Sequence, residues 1–259
     1  DLDALISNLQ VRGTIKKGKT QWNFGAKYQK EDIKDRIREW EVIDSLGFSI
    51  RPPYHISNNQ PYEPFEGEIT PYQNIRKDNN VVINRVSGFL QFNQRAYLNN
   101  HEIWYNLGIR AHNWSVTGNG IKSKSQTIIS PRAQFAIKPN WQKDMLFRVS
   151  GGLYAQPPSY RELRNFDGDL NVDVKAQKSI HYVAGMDYSF EMWDRPFKLT
   201  TEVYYKDLSD VNAYSIDNVR IRYRADNATT AFANGIDLRL NGEFVPGSES
   251  WVSLGYLKT

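Results

Sequence analysis

Four acidic or amide residues at two-residue spacing form the first group in this sequence whose types could do chemistry. Asp167, Asp169, Asn171 and Asp173 resemble the first half of a calcium-binding loop, in which carboxylate and amide oxygens hold the ion. Such a loop has a glutamate at its twelfth position, where this sequence has Lys178. We therefore expect a solvated acidic loop tip at this place and no metal site.

The histidines and the common catalytic motifs give no active-site pattern. His55, His101, His112 and His181 lack the spacing of metal ligands. The GxSxG, HExxH and P-loop patterns do not occur, and the absence of cysteine excludes thiolate chemistry and disulfides. The sequence therefore predicts that the protein is not an enzyme and carries no metal or cofactor.

A second group combines aromatic rings with arginines around a Pro-Pro pair at 157–158. Its members are Tyr154, Gln156, Tyr160, Arg161 and Arg164. Stacking and charged hydrogen bonds from such residues suit a sugar, peptide or chelate ligand. The alternative is an aromatic girdle at a membrane interface with solvated arginines. His181 and Tyr204, on the polar faces of two predicted strands, complete the predicted substrate-binding set.

The composition excludes several classes of protein that could carry these groups. The net charge of +4 comes from 33 basic and 29 acidic residues without a dense basic block, so we expect no nucleic-acid partner. Hydrophobic residues make up 40% of the chain and aromatic residues 13%. No run approaches the roughly 18 apolar residues that a membrane-spanning helix needs. Strands that face lipid with every second residue remain compatible with this composition.

Alternation with a period of two is the dominant pattern, and it predicts strands along most of the chain. From Ser179 to Phe190, every second residue from Ile180 onward is apolar or aromatic, and most of the others are small or polar. We count ten such runs, most of about 10–13 residues, which matches a tilted strand across a membrane. The polar faces carry charges, so they must line a wet or protein-filled interior.

The connections between these runs alternate in length. Short turns are predicted at 17–19, 99–100, 139–144, 192–196 and 246–250, and long loops at 32–80, 115–126, 157–175 and 207–228. Residues 32–40 could form one turn of helix within the first long loop. Short turns at one end and long loops at the other are typical of outer-membrane barrels, with the turns periplasmic and the loops extracellular. The sequence therefore predicts an all-β, antiparallel transmembrane β-barrel.

Four motifs resemble a known family of such barrels. The stretch GLYAQPP at 152–158, with YRELR at 160–164, is similar to a strand end and loop in TonB-dependent outer-membrane receptors. AQKS at 176–179, EVYYK at 202–206 and NGID at 234–237 resemble the following elements in the same order. The pattern is similar to that of Bacteroidetes-type members.

The resemblance implies a barrel of about 22 strands, closed by an N-terminal plug domain, in the outer membrane of a Gram-negative bacterium. Such receptors bind a scarce nutrient, for example an iron chelate, glycan, peptide or vitamin, and import it with energy delivered through TonB. The implied partners are outer-membrane lipid, the TonB complex acting through the plug, and a surface lipoprotein. Since the sequence has no plug pattern and ten strands, we expect residues 1–259 to be a partial barrel domain.

Two other classes of protein remain open from the residues alone. One is a different outer-membrane barrel, such as a passive porin or a secretion or adhesion protein. The other is a soluble all-β binding protein, such as a lectin-like sandwich. For the receptor, we expect ligand specificity to come from the loops 32–80, 157–175 and 207–228 together with lumen-facing arginines and tyrosines.

Overall fold

A computed structural model describes residues 1–41, 72–217 and 220–259. Ten long strands cover most of these ranges: Leu2–Lys17 (β1), Thr20–Glu41 (β2), Tyr72–Leu98 (β3), His101–Gly118 (β4), Gln126–Lys138 (β6), Asp144–Gln156 (β7), Gln177–Met192 (β8), Arg195–Val211 (β9), Thr229–Val245 (β12) and Ser248–Lys258 (β13). Three short strands are Ile121–Lys122 (β5), Tyr214–Asp217 (β10) and Arg220–Tyr223 (β11). One turn of 3-10 helix spans Tyr160–Leu163. No helix within the described ranges is both long and apolar enough to cross a membrane.

The ten long strands form one antiparallel sheet in chain order, from β1 at one edge to β13 at the other. β5 pairs with the last residues of β4, and β10 and β11 form a separate hairpin. The all-β, antiparallel prediction and the number of ten long strands are therefore confirmed for the described residues.

Tight turns join the strands at one end of the sheet, hereafter the turn end. The connections at 18–19, 99–100, 193–194 and 246–247 have two residues each, and the one at 139–143 is slightly longer. Asn99 and Asn100 have φ angles of 46° and 64°, the left-handed conformation that a two-residue type I′ hairpin turn requires and that asparagine tolerates. The longer connections lie at the other end, hereafter the loop end, and the predicted alternation of turns and loops is confirmed.

One face of the sheet, hereafter the apolar face, exposes large hydrophobic side chains in register across neighbouring strands. Leu90 of β3 lies opposite Ile109 of β4, and Tyr182 of β8 lies opposite Tyr205 of β9. Tyr182 is 59% exposed and Leu254 of β13 is 67% exposed. A continuous apolar surface of this kind is unfavourable in water, because burial of apolar area drives folding and association. It suits contact with lipid chains.

The opposite face, hereafter the polar face, carries the charged and amide side chains of the same strands. Its ion pairs cross between neighbouring strands: Arg148 of β7 contacts Asp187 of β8 at 3.2 Å, and Lys198 of β9 contacts the same carboxylate at 3.3 Å. Arg148 lies over Gly185, where an added Cβ would approach its guanidinium to 3.3 Å. The alternation that predicted the two faces is therefore observed in the sheet.

The strands extend further at the loop end than the sequence predicted. Residues 32–41 continue β2 and residues 72–80 belong to β3, so the predicted loop at 32–80 is wrong at both ends, and residues 32–40 form strand instead of a helical turn. β4 and β9 likewise include residues 115–118 and 207–211 of the predicted loops 115–126 and 207–228. The middle of the first loop, 42–71, which includes His55, lies outside the described residues.

A small hydrophobic core explains why apolar residues occupy positions of the polar face in these extensions. Ile33, Val81, Ile83, Trp114 and Val116 occupy positions that continue the polar face, yet they are buried. The connection at 157–175 covers them with Leu163, Val172 and Val174, which are at most 8% exposed. Apolar residues therefore take inward positions wherever the connection 157–175 replaces water as their neighbour.

Candidate ligand-binding site

The connection 157–175 folds over the polar face at the loop end and is fixed there by a buried carboxylate. Asp35 of β2 is 7% exposed and accepts hydrogen bonds from the Tyr160 hydroxyl at 2.6 Å and from Arg164 Nη1 at 2.7 Å. Burial, together with the hydrogen bond to Asp35, raises the pKa of Tyr160 above its usual value. Tyr160 therefore remains a hydrogen-bond donor at neutral pH.

Glu162 makes the second attachment of this connection. Its Oε2 accepts hydrogen bonds from the backbone N–H and the hydroxyl of Ser159, at 2.7 and 2.8 Å, which closes a capping box around the 3-10 turn. Gln177 Nε2 donates to Glu162 Oε1 at 2.5 Å, and Asn212 Nδ2 donates to the Glu162 carbonyl oxygen at 2.8 Å. These contacts join the connection to β8 and to the chain that follows β9.

The β10–β11 hairpin is attached to the same region. Asn212 Oδ1 accepts a hydrogen bond from the Ala225 N–H at 2.8 Å, and Asn171 Nδ2 donates to the Ala225 carbonyl oxygen at 2.7 Å. Arg222 of β11 forms an ion pair of 2.5 Å with Glu39 of β2. The 157–175 connection and the hairpin therefore make one packed layer over the loop end of the sheet.

Tyr154, at the loop end of β7, is the centre of an aromatic and cationic stack on the polar face. Its ring stacks on His181 of β8 with centroids 4.2 Å apart, and Arg132 Cζ of β6 lies 4.0 Å from its centroid. Arg132 and His181 both lie opposite Gly152 in register. A Cβ on Gly152 would approach Arg132 Cγ to 2.8 Å, so glycine leaves the space that the arginine side chain needs.

Next to this stack, the polar face contains a cavity of about 250 Å³. The side chains that define it come from β3, β4, β6 and β7: Phe89, Arg110, Ser130, Arg132, Gln134 and Tyr154. Arg110 Cζ lies 5.4 Å from the Phe89 ring centroid, and Arg110 pairs in register with Ser130. Arg85 lies between this cavity and the 157–175 connection, where its Nη2 donates to the Pro158 carbonyl oxygen at 2.5 Å.

The predicted substrate-binding residues divide into three groups in the structure. Tyr154 and His181 belong to the stack, and Tyr204 lies on the polar face of β9 with Lys206 Nζ 5.4 Å from its ring centroid. Tyr160 and Arg164 are both bonded to Asp35 in the layer above. The two remaining residues, Gln156 and Arg161, are exposed at the loop end.

Other residues of the cavity were absent from the predicted set. Arg110 and Arg132 are on the predicted polar faces, as is Ser130, but many residues share that property. Phe89 is an aromatic residue on the polar face, against the alternation of its neighbours Leu90 and Phe92. The signal that distinguishes these residues is register across four strands, which a single sequence does not show.

Residues of the acidic connection and His101 make structural contacts. Asp169 forms an ion pair of 2.6 Å with Lys77, and Asn165 Oδ1 accepts hydrogen bonds from the Asp167 and Asp169 N–H groups. His101 Nδ1 accepts a hydrogen bond from the Asn140 N–H at 2.9 Å. In the described part of the chain, His, Asp and Glu residues do not form a group of three that could hold a metal ion.

A comparison with family models identifies one family, and solved structures share the fold. A family model described as "TonB dependent receptor-like, beta-barrel" matches residues 5–259. The solved structure of the copper transporter OprC matches 99% of this chain and 37% of its own length, with 14% identity and a TM-score of 0.67. The siderophore receptor PiuA from Acinetobacter baumannii is similar over the same share of this chain and 38% of its own, with 16% identity and a TM-score of 0.57.

A third structure gives the same result. The ferric yersiniabactin uptake receptor FyuA from Yersinia pestis is similar to 99% of this chain and 35% of its own length, with 13% identity and a TM-score of 0.56. At these identities the likeness shows the fold. The chain spans 35–38% of the length of these three structures. No curated protein matches it by sequence.

Proposed function

We propose that this chain, which belongs to the TonB-dependent receptor β-barrel family, is part of a receptor for a scarce nutrient. The receptor binds the nutrient at the cell surface and imports it into the periplasm. The chain is a portion of a transmembrane β-barrel in the outer membrane of a Gram-negative bacterium. The apolar face contacts lipid, and the polar face lines the lumen.

The observation that carries this proposal is the cavity beside Tyr154 on the lumen wall. It lies about midway along the strands, with Arg85 between it and the layer that the 157–175 connection forms. The predicted residues Tyr154, Gln156, Tyr160, Arg161, Arg164, His181 and Tyr204 remain candidates for contact with the ligand or for holding the loops around it.

Import in this proposal needs no covalent chemistry, because the chain contributes binding and a passage. The energy comes from the inner membrane through TonB, which acts on a plug domain inside the complete barrel. A surface lipoprotein that delivers the nutrient is the third proposed partner. The nutrient is a small molecule of the iron chelate, glycan, peptide or vitamin class. Of the similar structures, one is named a copper transporter and another a siderophore receptor.

Depletion of the growth medium tests the proposal. The host bacterium and a strain lacking the gene for the full-length receptor are grown with limiting nutrients, and the medium is analysed by mass spectrometry. We expect at least one iron chelate, vitamin, peptide or glycan to disappear from the medium of the first strain and to persist with the second. Equal depletion of every component by the two strains would contradict a role in nutrient import.

A further inference from the structure

We infer that the cavity beside Tyr154 binds the anionic group, a carboxylate or a phosphate, of a ligand that also carries a flat apolar part. This inference rests on the proposed function, because it describes the substrate of the same receptor. It goes further in naming the charge of the substrate and the side chains that recognise it.

The first argument is the charge of the wall around the cavity. Arg110 and Arg132 are exposed to the lumen and form no ion pair with an acidic residue of the described ranges. Lys206 continues the same cationic surface, since it pairs in register with His181, the stacking partner of Tyr154. The cavity therefore lies against several positive charges that the described chain does not neutralise.

Two acidic residues on the polar face, one towards each end of the strands from the cavity, have cationic partners. Above it, Glu31 accepts hydrogen bonds from Arg85 Nε at 2.7 Å and from Gln29 Nε2 at 2.9 Å. Towards the turn end, Asp187 contacts Arg148 and Lys198. The Glu31 and Asp187 carboxylates are thus occupied, and the Arg110 and Arg132 guanidinium groups remain available to an anion from outside the described chain.

The second argument is a buried hydroxyl without a partner. Ser130 lines the cavity, is 1% exposed, and its Oγ has no hydrogen-bond partner among the described residues. Buried polar atoms are nearly always hydrogen-bonded, so an unbonded one at a cavity wall indicates a missing partner. A hydroxyl is a donor to an anionic oxygen, and Ser130 lies opposite Arg110 in register, so both can contact the same group.

The third argument is the shape of the walls. The Arg132 guanidinium lies near the Tyr154 ring, and Arg110 lies near Phe89. Contact with a ring restricts the orientation of a guanidinium, and a planar guanidinium can bind a carboxylate or phosphate with two parallel hydrogen bonds. Phe89 and Tyr154 add flat apolar surfaces beside these donors. A volume of about 250 Å³ is slightly below that of most ligand pockets, which suits one anionic group and the ring beside it.

Binding of simple anions to the purified full-length receptor tests the inference. The probes are phenyl phosphate and benzoate, with benzyl alcohol as the neutral control, titrated by calorimetry at low salt. We expect both anions to bind and benzyl alcohol not to bind. Arg110→Gln and Arg132→Gln should each weaken the anions by about tenfold, and Ser130→Ala by a few-fold. The ratio of the affinities for phenyl phosphate and benzoate shows which anionic group the cavity prefers.

Arg239→Gln is the matched control, because Arg239 bonds Asn241 on the polar face of β12, outside the cavity. It should leave binding of both anions unchanged. Equal binding of the anions to wild type, Arg110→Gln and Arg132→Gln overturns the inference, and so does failure of both anions to bind a correctly folded receptor. A third outcome combines two results: wild type binds no anion, and Arg132→Gln lowers the melting temperature of the unliganded receptor by several degrees. It would overturn the inference and assign the cavity to an acidic side chain of the same protein.

The outcomes separate this inference from the proposed function. Anion binding is measured on the isolated receptor and does not depend on TonB. If anions bind as described but deletion of the gene leaves nutrient depletion unchanged, the proposed function fails and the anion site stands. If the deletion abolishes depletion of a nutrient and the anions do not bind, the inference fails and the receptor function stands.

Discussion

Asp35 accepts a 2.6 Å hydrogen bond from the hydroxyl of Tyr160, although 125 residues separate them along the chain. The bond connects the loop-end extension of β2 to the 157–175 connection, and Arg164 binds the same carboxylate oxygen. One buried carboxylate thus holds a loop over the lumen wall. The order of this loop, and with it the shape of the mouth above the cavity, depends on that contact.

Removal of the Tyr160 hydroxyl should loosen the connection. In Tyr160→Phe, Asp35 keeps Arg164 but loses its shortest hydrogen bond, and a hydrogen bond to a charged group contributes about 1.5–3 kcal/mol. We expect faster proteolysis and hydrogen exchange within 157–175 and an unchanged barrel. Tyr182→Phe, on the lipid-facing side of β8, is the control. Equal protection of the connection in wild type and Tyr160→Phe would contradict this role.

The same contact should depend on pH. The pKa of Tyr160 is raised by burial and by the hydrogen bond to Asp35, so folded tyrosine holds its proton more tightly than unfolded tyrosine, whose pKa is 10.0. Its contribution to stability is therefore complete below pH 10 and is lost as the pH rises above that value. Hydrogen exchange of 157–175 should accelerate above pH 10 beyond the intrinsic increase, and this extra acceleration should be absent from Tyr160→Phe.

Gly152→Ala should disturb the stack without changing any polar group. The new methyl would lie 2.8 Å from Arg132 Cγ and 3.0 Å from the Pro131 carbonyl oxygen, so Arg132 must leave Tyr154. We expect phenyl phosphate to bind less tightly and the fold to lose about 1–3 kcal/mol. Gly88→Ala is the control, since its nearest contact is 3.5 Å. Tight binding of phenyl phosphate to folded Gly152→Ala would show that the position of Arg132 is unimportant.

The assignment of the two faces predicts opposite responses to an added charge. Ile109→Arg places a cation on the apolar face, where a charge near the bilayer centre costs about 2–4 kcal/mol. Asn106→Arg places the same charge on the polar face of the same strand, and we expect little loss. Refolding of the full-length protein into lipid vesicles under increasing urea measures the difference. Equal stability of the two variants would be incompatible with lipid on the apolar face.

The sequence was sufficient to predict the strands of the sheet but not the packing of segments at its loop end. Alternation from Ser179 to Phe190 predicted β8, because lipid and lumen impose opposite polarity on successive residues. The rule fails at Ile33 and Val81, because beyond the membrane the 157–175 connection replaces water on the inner side. Nothing local marks Asp35 as the partner of Tyr160, since packing between distant segments decides that contact.

The candidate site was predictable in part for a similar reason. Tyr154 and His181 were predicted from residue type and their position on polar strand faces, and the structure brings their rings together. Ser130 and Arg110 have the same polarity as many other inward residues, and their grouping depends on the register of β4 with β6. Register arises from the whole set of pairings in a sheet, so the cavity emerges only when the strands are assembled.

Uptake in the presence and absence of TonB tests the central claim most directly. Cells that express the full-length receptor are given the nutrient found by medium depletion, in radiolabelled form, and surface-bound label is washed away before the internal label is counted. The account predicts accumulation that disappears in a strain without TonB, while binding at the cell surface persists. Accumulation at the same rate in both strains would contradict it and would indicate a passive channel.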